Sequence, residues 1–314
     1  MRRFPWTLTA VGLILVALIG MLTIKNRQLF DAPKQGMRGI RVLMPDGEIQ
    51  TLDLEQYLVG VVSAEMPANF APEALEAQAV AARTYAVRQL VSETRNEQSY
   101  DVDTTQRTQA WQSDQALRKK WGIVHYLPNR LKIEQAVKAT KGLVLTYNGD
   151  YVQAFFFANS GRLPTERAED VWGESLPYLN HVAPEAGERG ISISTVSFSP
   201  AELDQRLGTT LAGKKKLGQN DVRIIERTTA GRAKMVRIQG KAISATRLRA
   251  ELGLKSTDFT IRVTNNKVVF TAYGNGHAVG MSQYGANYLA QKGYGYKAIL
   301  SHYYPGANLW NIDR

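Results

Sequence analysis

The sequence predicts an α+β protein: a mixed helical and β domain carrying an inserted β-rich lobe, preceded by one N-terminal transmembrane helix. Three observations lead there. Apolar side chains recur at helical spacing through residues 54–90. The texture then changes to short β runs around a single helix over residues 190–270. Phe4 to Ile24 hold no charged side chain at all. The 314 residues include no cysteine, which excludes disulfide staples, thiolate nucleophiles, iron–sulfur clusters and cysteine-rich zinc sites. A hydrophobic share of 44% and a charged share of 21% are those of a globular chain. No repeat or low-complexity tract occurs.

At about 1.5 Å per residue, the run from Phe4 to Ile24 spans the roughly 30 Å core of one bilayer. Arg2 and Arg3 precede it, Trp6 falls at an interface, and Lys25 and Arg27 close the far end. A cleaved signal peptide would have a shorter apolar region and a small-x-small site after it; Lys25-Asn26-Arg27-Gln28-Leu29-Phe30 offers none. Residues 1–30 are therefore expected to be a short cytoplasmic tip and an uncleaved anchor, 31–38 a linker, and 39–314 the working domain outside the membrane. The formal charge is +11, from 39 basic and 28 acidic residues. The four basic residues flanking the apolar run account for part of this; 39 less four leaves 35 against 28. A basic outer domain fits an anionic wall polymer better than nucleic acid, because no aromatic-interleaved basic motif appears.

Gly39 to Leu52 alternates about Pro45-Asp46-Gly47 and reads as a hairpin. Asp53, with Gln56 three residues on, can cap a helix whose apolar positions are Leu54, Tyr57, Leu58, Val61 and Val62. Met66-Pro67 ends it. Pro72 opens a second helix with an alanine-rich inward face, Leu75, Ala79, Ala82, Ala86 and Leu90. Residues 91–130 read as polar and irregular, and a helix is expected at about 131–141. Leu143–Tyr147 and Tyr151–Phe157 then form strands joined across Asn148-Gly149. Within 190–270, strands are expected at 222–228, 233–239, 259–263 and 267–272, with a helix at 244–251. A helix falls near Ser282–Lys292, followed by a Tyr-rich tail.

Glu65 continues the phase of the first helix's apolar stripe. A carboxyl held there suffers desolvation, which raises its pKa and suits it to general-acid work. The same pattern also allows Glu65 simply to reach solvent where the helix stops. The segment 273–286 carries Gly274, Gly276, Gly280 and Gly285 among His277, Ser282, Gln283 and Tyr284. That composition marks a loop where backbone approaches closely, with hydrogen-bonding side chains around it, or a plain tight loop leading into a helix. No Lys-Ser/Thr follows the glycines, so phosphate binding is excluded, and Ser282 lacks a nucleophile elbow. The four histidines are far apart in sequence with no H-E-x-x-H, so no metal site is predicted.

Residues 54–86, LEQYLVGVVSAEMPANFAPEALEAQAVAARTYA, resemble the signature of the SpoIID/LytB family. EDVWGESLPYL (169–179), GLKSTDFTI (253–261), GNGHAVGMSQYGA (274–286) and HYYPGANL (302–309) extend the resemblance in order over about residues 39–310. It implies a lytic transglycosylase that cuts peptidoglycan glycan strands already stripped of their stem peptides, at the sporulation septum during engulfment. No cofactor is predicted, and the resemblance implies as partners a peptide-removing amidase/endopeptidase and a multispanning membrane protein. The family's catalytic glutamate falls on Glu65. Ser282, Gln283 and Tyr284 are the candidates for binding the sugar, with His277 ordering the glycine loop beside them. Arg83 is a candidate to pair with the muramyl lactyl carboxylate, or else forms a structural ion pair. The sequence departs from the family pattern where Phe157-Ala158-Asn159-Ser160-Gly161-Arg162 lacks a histidine, where 103–109 lacks the Cys and His that imply a metal in some members, and where Ala278 replaces a usual glycine. The alternatives are a non-catalytic modifier that enhances an amidase, or a glycan-binding scaffold.

Overall fold

The computed structural model describes residues 39–92, 99–188 and 192–313, all within one compact unit. The expected anchor and linker, 1–38, lie outside the described residues. Among the described residues, no helix is long and apolar enough to cross a membrane.

The chain opens with the expected hairpin, β1 (Gly39–Leu43) antiparallel to β2 (Ile49–Asp53). Asp53 caps α1 (Leu54–Glu65): its Oδ1 accepts from the N–H groups of Glu55 and Gln56, which a helix start leaves without intrahelical partners. The helix stops at Glu65 because Met66, preceding Pro67, is extended at φ −117 and ψ 144. α2 (Pro72–Leu90) begins with proline in its first turn. It is buried on nearly all sides rather than along one alanine face: Ala74, Ala77 and Ala81 are as enclosed as Leu75, Ala79 and Ala82. Its small side chains let neighbouring helices pack against several of its faces, so α2 is the axis of the main hydrophobic cluster.

The stretch expected to be irregular holds regular structure. β3 (Val102–Asp103) pairs parallel to β1, and α3 runs from Asp114 to Ala139. Gly122, at φ +68 and ψ 175, kinks α3, and the turns just after the kink leave Ile123, Val124 and Leu127 exposed. A helix that buries so little of its first half carries no apolar period to read. β4 (Leu143–Tyr147) turns through Asn148 and Gly149, both at positive φ, into β5 (Asp150–Tyr151). That partner strand is shorter than expected, since β6 (Phe156–Phe157) leaves for another sheet. α4 (Ala168–Trp172) follows.

Residues 193–272 pack around a hydrophobic cluster of their own, from Phe198 and Leu203 to Phe259 and Phe270. It contains β7 (Ile193–Phe198), α5 (Pro200–Leu207), β8 (Val222–Arg227), β9 (Ala233–Ile238), β10 (Lys241–Ser244), α6 (Ala245–Leu252), β11 (Phe259–Thr264) and β12 (Lys267–Tyr273). The strands form two antiparallel sheets, ordered β10-β9-β8 and β11-β12-β7. Helix α5, absent from the sequence expectation, starts in a capping box of Ser199 and Glu202. The chain then returns to the main cluster through β13 (Met281–Ser282), which pairs parallel with β6, then α7 (Gln283–Gln291), α8 (Tyr296–Tyr303) and β14 (Asn308–Asn311), which pairs with β4. Two arginines join the clusters. Arg162 donates from Nε and Nη2 to the Asp258 carboxylate, both at 2.9 Å, and lies 3.7 Å from the Tyr273 ring centre. Arg232, fully buried, donates to the carbonyls of Ser160 and Leu163 and faces Glu166 at 3.6 Å.

Candidate active site

Glu65 ends α1 at the point where two open cavities meet. One, of about 500 Å³, is lined among others by Tyr85, Arg107, Phe155, Trp172, Arg249 and His277. The other, of about 590 Å³, is lined by Lys120, Trp121, His125 and Tyr284 among others. Ala64, Glu65, Ala158 and Gln283 border both, so the carboxyl sits mid-way along one continuous cleft. It is the one carboxylate among the described residues lining either cavity. Burial raises its pKa above the ordinary value, while the Ala110 N–H, 2.9 Å from Oε1, and the Gln283 side chain pull the other way without cancelling the shift. The carboxyl therefore neither vanishes into the core nor simply reaches solvent.

The backbone donor on Glu65 is delivered by the loop after β3. Asp103 clamps that loop, its Oδ1 accepting from the Thr105 N–H and hydroxyl, both at 2.7 Å. Desolvation alone would raise the Asp103 pKa, but these bonds, Thr108 and Arg107 outweigh it and hold it low. Gln109, buried, accepts from the Tyr57 hydroxyl and donates to the Ala82 carbonyl, tying the loop to α1 and α2. The Trp111 ring crosses α1 at Gly60, where an added Cβ would come within 2.2 Å of the indole nitrogen. Gly60 thus sets how close Ala110 comes to Glu65, a role that no sequence pattern revealed.

The glycine loop approaches as closely as its composition implied. Gly274, Gly276 and Gly280 all have positive φ, and a Cβ on Gly280 would lie 2.1 Å from the Phe155 carbonyl oxygen. Ala278 adopts φ +67 in the same loop, a left-handed conformation where the family pattern has glycine. His277 braces this loop, its Nδ1 accepting from the Val279 N–H at 3.1 Å, and its ring also lines the 500 Å³ cavity. Its ring lies among Phe155, Phe157 and Trp172, with centroid distances of 6.1, 5.7 and 5.4 Å. Desolvation, reinforced by nearby Arg249, lowers its pKa to about 4, so it is neutral at pH 7. The half-exposed Trp172 and the Phe155 ring, 4.8 Å apart, give the cleft an aromatic wall.

Gln283 and Tyr284 face the cleft. Gln283 adjoins Glu65 and donates to buried Gln78 at 3.4 Å; Tyr284 borders the second cavity with its ring edge-on to Phe70. Two expected substrate-binding residues do not face it. Ser282 is fully buried: its hydroxyl donates to the Glu188 carboxylate and accepts from the Gly285 N–H, capping α7. Arg83 is also fully buried, held in bidentate fashion by Glu55 at 2.9 and 2.7 Å and donating to the carbonyls of Val137 and Leu143. Its structural alternative is the one realised, because α2 is enclosed on the side that carries it. Sequence reasoning missed Tyr85, Trp172, Arg107 and Arg249. Trp172 lay inside a quoted motif, whereas Arg249 comes from the lobe cluster with no local signal. Among the described residues, no group of three or more His, Asp or Glu is placed to hold a metal.

Fold and cleft together define a class: an α+β protein with a single partly buried carboxyl midway along an open, aromatic- and cation-lined groove. A sequence model of the family described as SpoIID, Stage II sporulation protein, matches residues 46–147. The chain is 40% identical over 268 residues to Stage II sporulation protein D of Bacillus amyloliquefaciens, covering 84% of this chain and 76% of that one. It is 38% identical over 268 residues to Stage II sporulation protein D of Bacillus subtilis (strain 168), with the same coverage. A more distant relative is the Amidase enhancer of Bacillus subtilis (strain 168), 28% identical over 305 residues, 80% of this chain and 40% of that one. The chain belongs to the SpoIID family of sporulation proteins.

Proposed function

We propose that this protein is a lytic transglycosylase that cuts peptide-stripped peptidoglycan strands, leaving 1,6-anhydromuramyl ends. The observation that carries the reading is the lone, partly buried carboxyl of Glu65 between two cavities. Hydrolytic glycosidases need two carboxyl groups, an acid and a base or nucleophile. A lytic transglycosylase needs one, because the muramyl C6 hydroxyl is the intramolecular nucleophile. Glu65, whose hold on its proton burial strengthens, gives that proton to the glycosidic oxygen as the bond breaks. As a carboxylate it then accepts the C6 hydroxyl proton while O6 closes on C1. The cavities on either side accommodate sugars on both sides of the scissile bond. Trp172 and Phe155 offer rings to sugar faces, and Gln283 and Tyr284 offer hydrogen bonds. Arg107, Lys120 and Arg249 make the groove cationic, which suits an anionic strand.

In this reading the residues before 39 anchor the protein to the membrane with the domain outside, at the sporulation septum. An amidase/endopeptidase supplies stripped strands, and a multispanning membrane protein completes the assembly. The likeness to an amidase enhancer supports a second reading, a non-catalytic modifier. Product analysis separates the two. Full-length protein incubated with peptide-stripped strands is expected to release anhydro-ended fragments by mass spectrometry, and Glu65→Gln to release at least a hundredfold less, in line with the roughly 10²–10⁴-fold worth of a positioned acid. The rate is expected to fall as pH rises through the raised Glu65 pKa, because the proton to be donated is then gone. Equal anhydro product from both proteins would remove Glu65 from the role; none from either would favour the modifier.

A further inference from the structure

Arg249 differs from the arginines that brace the two clusters. Arg83, Arg162 and Arg232 each face a carboxylate, Glu55, Asp258 and Glu166 respectively. Arg107, the other arginine of the 500 Å³ cavity, is occupied by Asp103 at 3.1 Å. Arg249 forms no ion pair among the described residues, and its Nε is buried without a hydrogen-bond partner. It projects from α6 of the lobe cluster into the cavity shared by Glu65 and Trp172. Its ionisable neighbours there are Glu65, Tyr85, Arg107 and His277, and His277 is neutral at pH 7. An unpartnered donor on a desolvated cation is costly, and an anion supplied from outside would offset that cost. A planar guanidinium matches a carboxylate in bidentate fashion.

We propose that Arg249, brought to the cleft by the lobe, binds the free lactyl carboxylate of a peptide-stripped muramyl residue. The proposal rests on the glycan-cleavage reading and assigns the selection for stripped strands to a single side chain. In a peptide-bearing strand that carboxyl is an amide and carries no charge for Arg249 to pair with. N-acetylglucosamine has no such group.

The test is a binding titration, followed by tryptophan fluorescence, on the full-length chain carrying Glu65→Gln so that ligand is not consumed. The probes are peptide-stripped strands, the same strands with their lactyl carboxylates converted to methylamides, and an N-acetylglucosamine oligomer. Adding Arg249→Gln is expected to weaken binding of stripped strands about tenfold at low salt and to leave the two neutral probes unchanged. Arg249→Lys is expected to fall between. The unfolding midpoint of Arg249→Gln is expected to equal or exceed that of its parent, since no internal pair is lost. Equal weakening for all three probes, no weakening for any, or a lowered midpoint would overturn the proposal. Its failure is distinct from failure of the cleavage reading, which is read by anhydro ends from the protein with Glu65 intact.

Discussion

The Glu65 carboxyl is raised by a local conflict. Helix phase directs it toward apolar neighbours, while the chain's turn at Met66-Pro67 leaves it open to the cleft. The same burial affects stability. A carboxyl whose folded pKa exceeds its unfolded value of about 4.3 favours the folded state most below that value. Stability from this group then declines as pH rises from the unfolded value through the folded one. Glu65→Gln removes the decline, so the variant is expected to unfold at a higher temperature than the parent at pH 7, with the gap closing by pH 4. Thermal unfolding across that range checks it. A variant less stable at pH 7 would mean that the Ala110 and Gln283 hydrogen bonds outweigh burial.

At the scale of elements, the setting of the Glu65 carboxyl depends on how α1 meets the loop after β3. Gly60 lies mid-helix, where glycine costs about 1 kcal/mol relative to alanine. On propensity alone Gly60→Ala would stabilise α1. The structure reverses that expectation, because the new methyl would meet the Trp111 ring and displace the segment that presents Ala110 to Glu65. The variant is expected to lose about tenfold or more in cleavage rate, to shift the pH profile upward as the Ala110 hydrogen bond to the carboxylate is lost, and to gain no stability. Unchanged rate and profile would show that the loop is not coupled to the carboxyl. Arg83 illustrates the same dependence. Its place on α2 was plain from sequence, but whether that face met substrate or neighbouring helices rested on packing against α1 and α3.

The described residues form two hydrophobic clusters that share one cleft. The main cluster holds Glu65 and the glycine loop, and the lobe contributes Arg249. Their relative placement therefore matters to binding, and Arg232 is a principal tie. Arg232→Met removes hydrogen bonds to Ser160 and Leu163 and leaves Glu166 buried without its cation. Breaking such a pair costs roughly 3–5 kcal/mol. Since each cluster has its own core, calorimetry is expected to show the single transition broaden or divide into two, with the lobe melting first. A sharp single transition at the original temperature would show that Arg232 is not what couples them.

Much of this protein was legible without coordinates, wherever local physics decides. Asp53 and Met66-Pro67 bounded α1, Asn148-Gly149 placed a hairpin turn, and glycines near His277 marked a close backbone approach, because caps, proline and positive φ act within a few residues. The resemblance of ordered motifs pointed to the family and to Glu65. Tertiary structure alone decided which polar side chains face the groove: it turned Arg83 and Ser282 inward, brought Arg249 in from the lobe, and set Ala110 against the carboxyl through Gly60. Those outcomes depend on contacts between residues far apart in sequence, where burial and pairing follow from the whole packing and not from the pattern around any one residue.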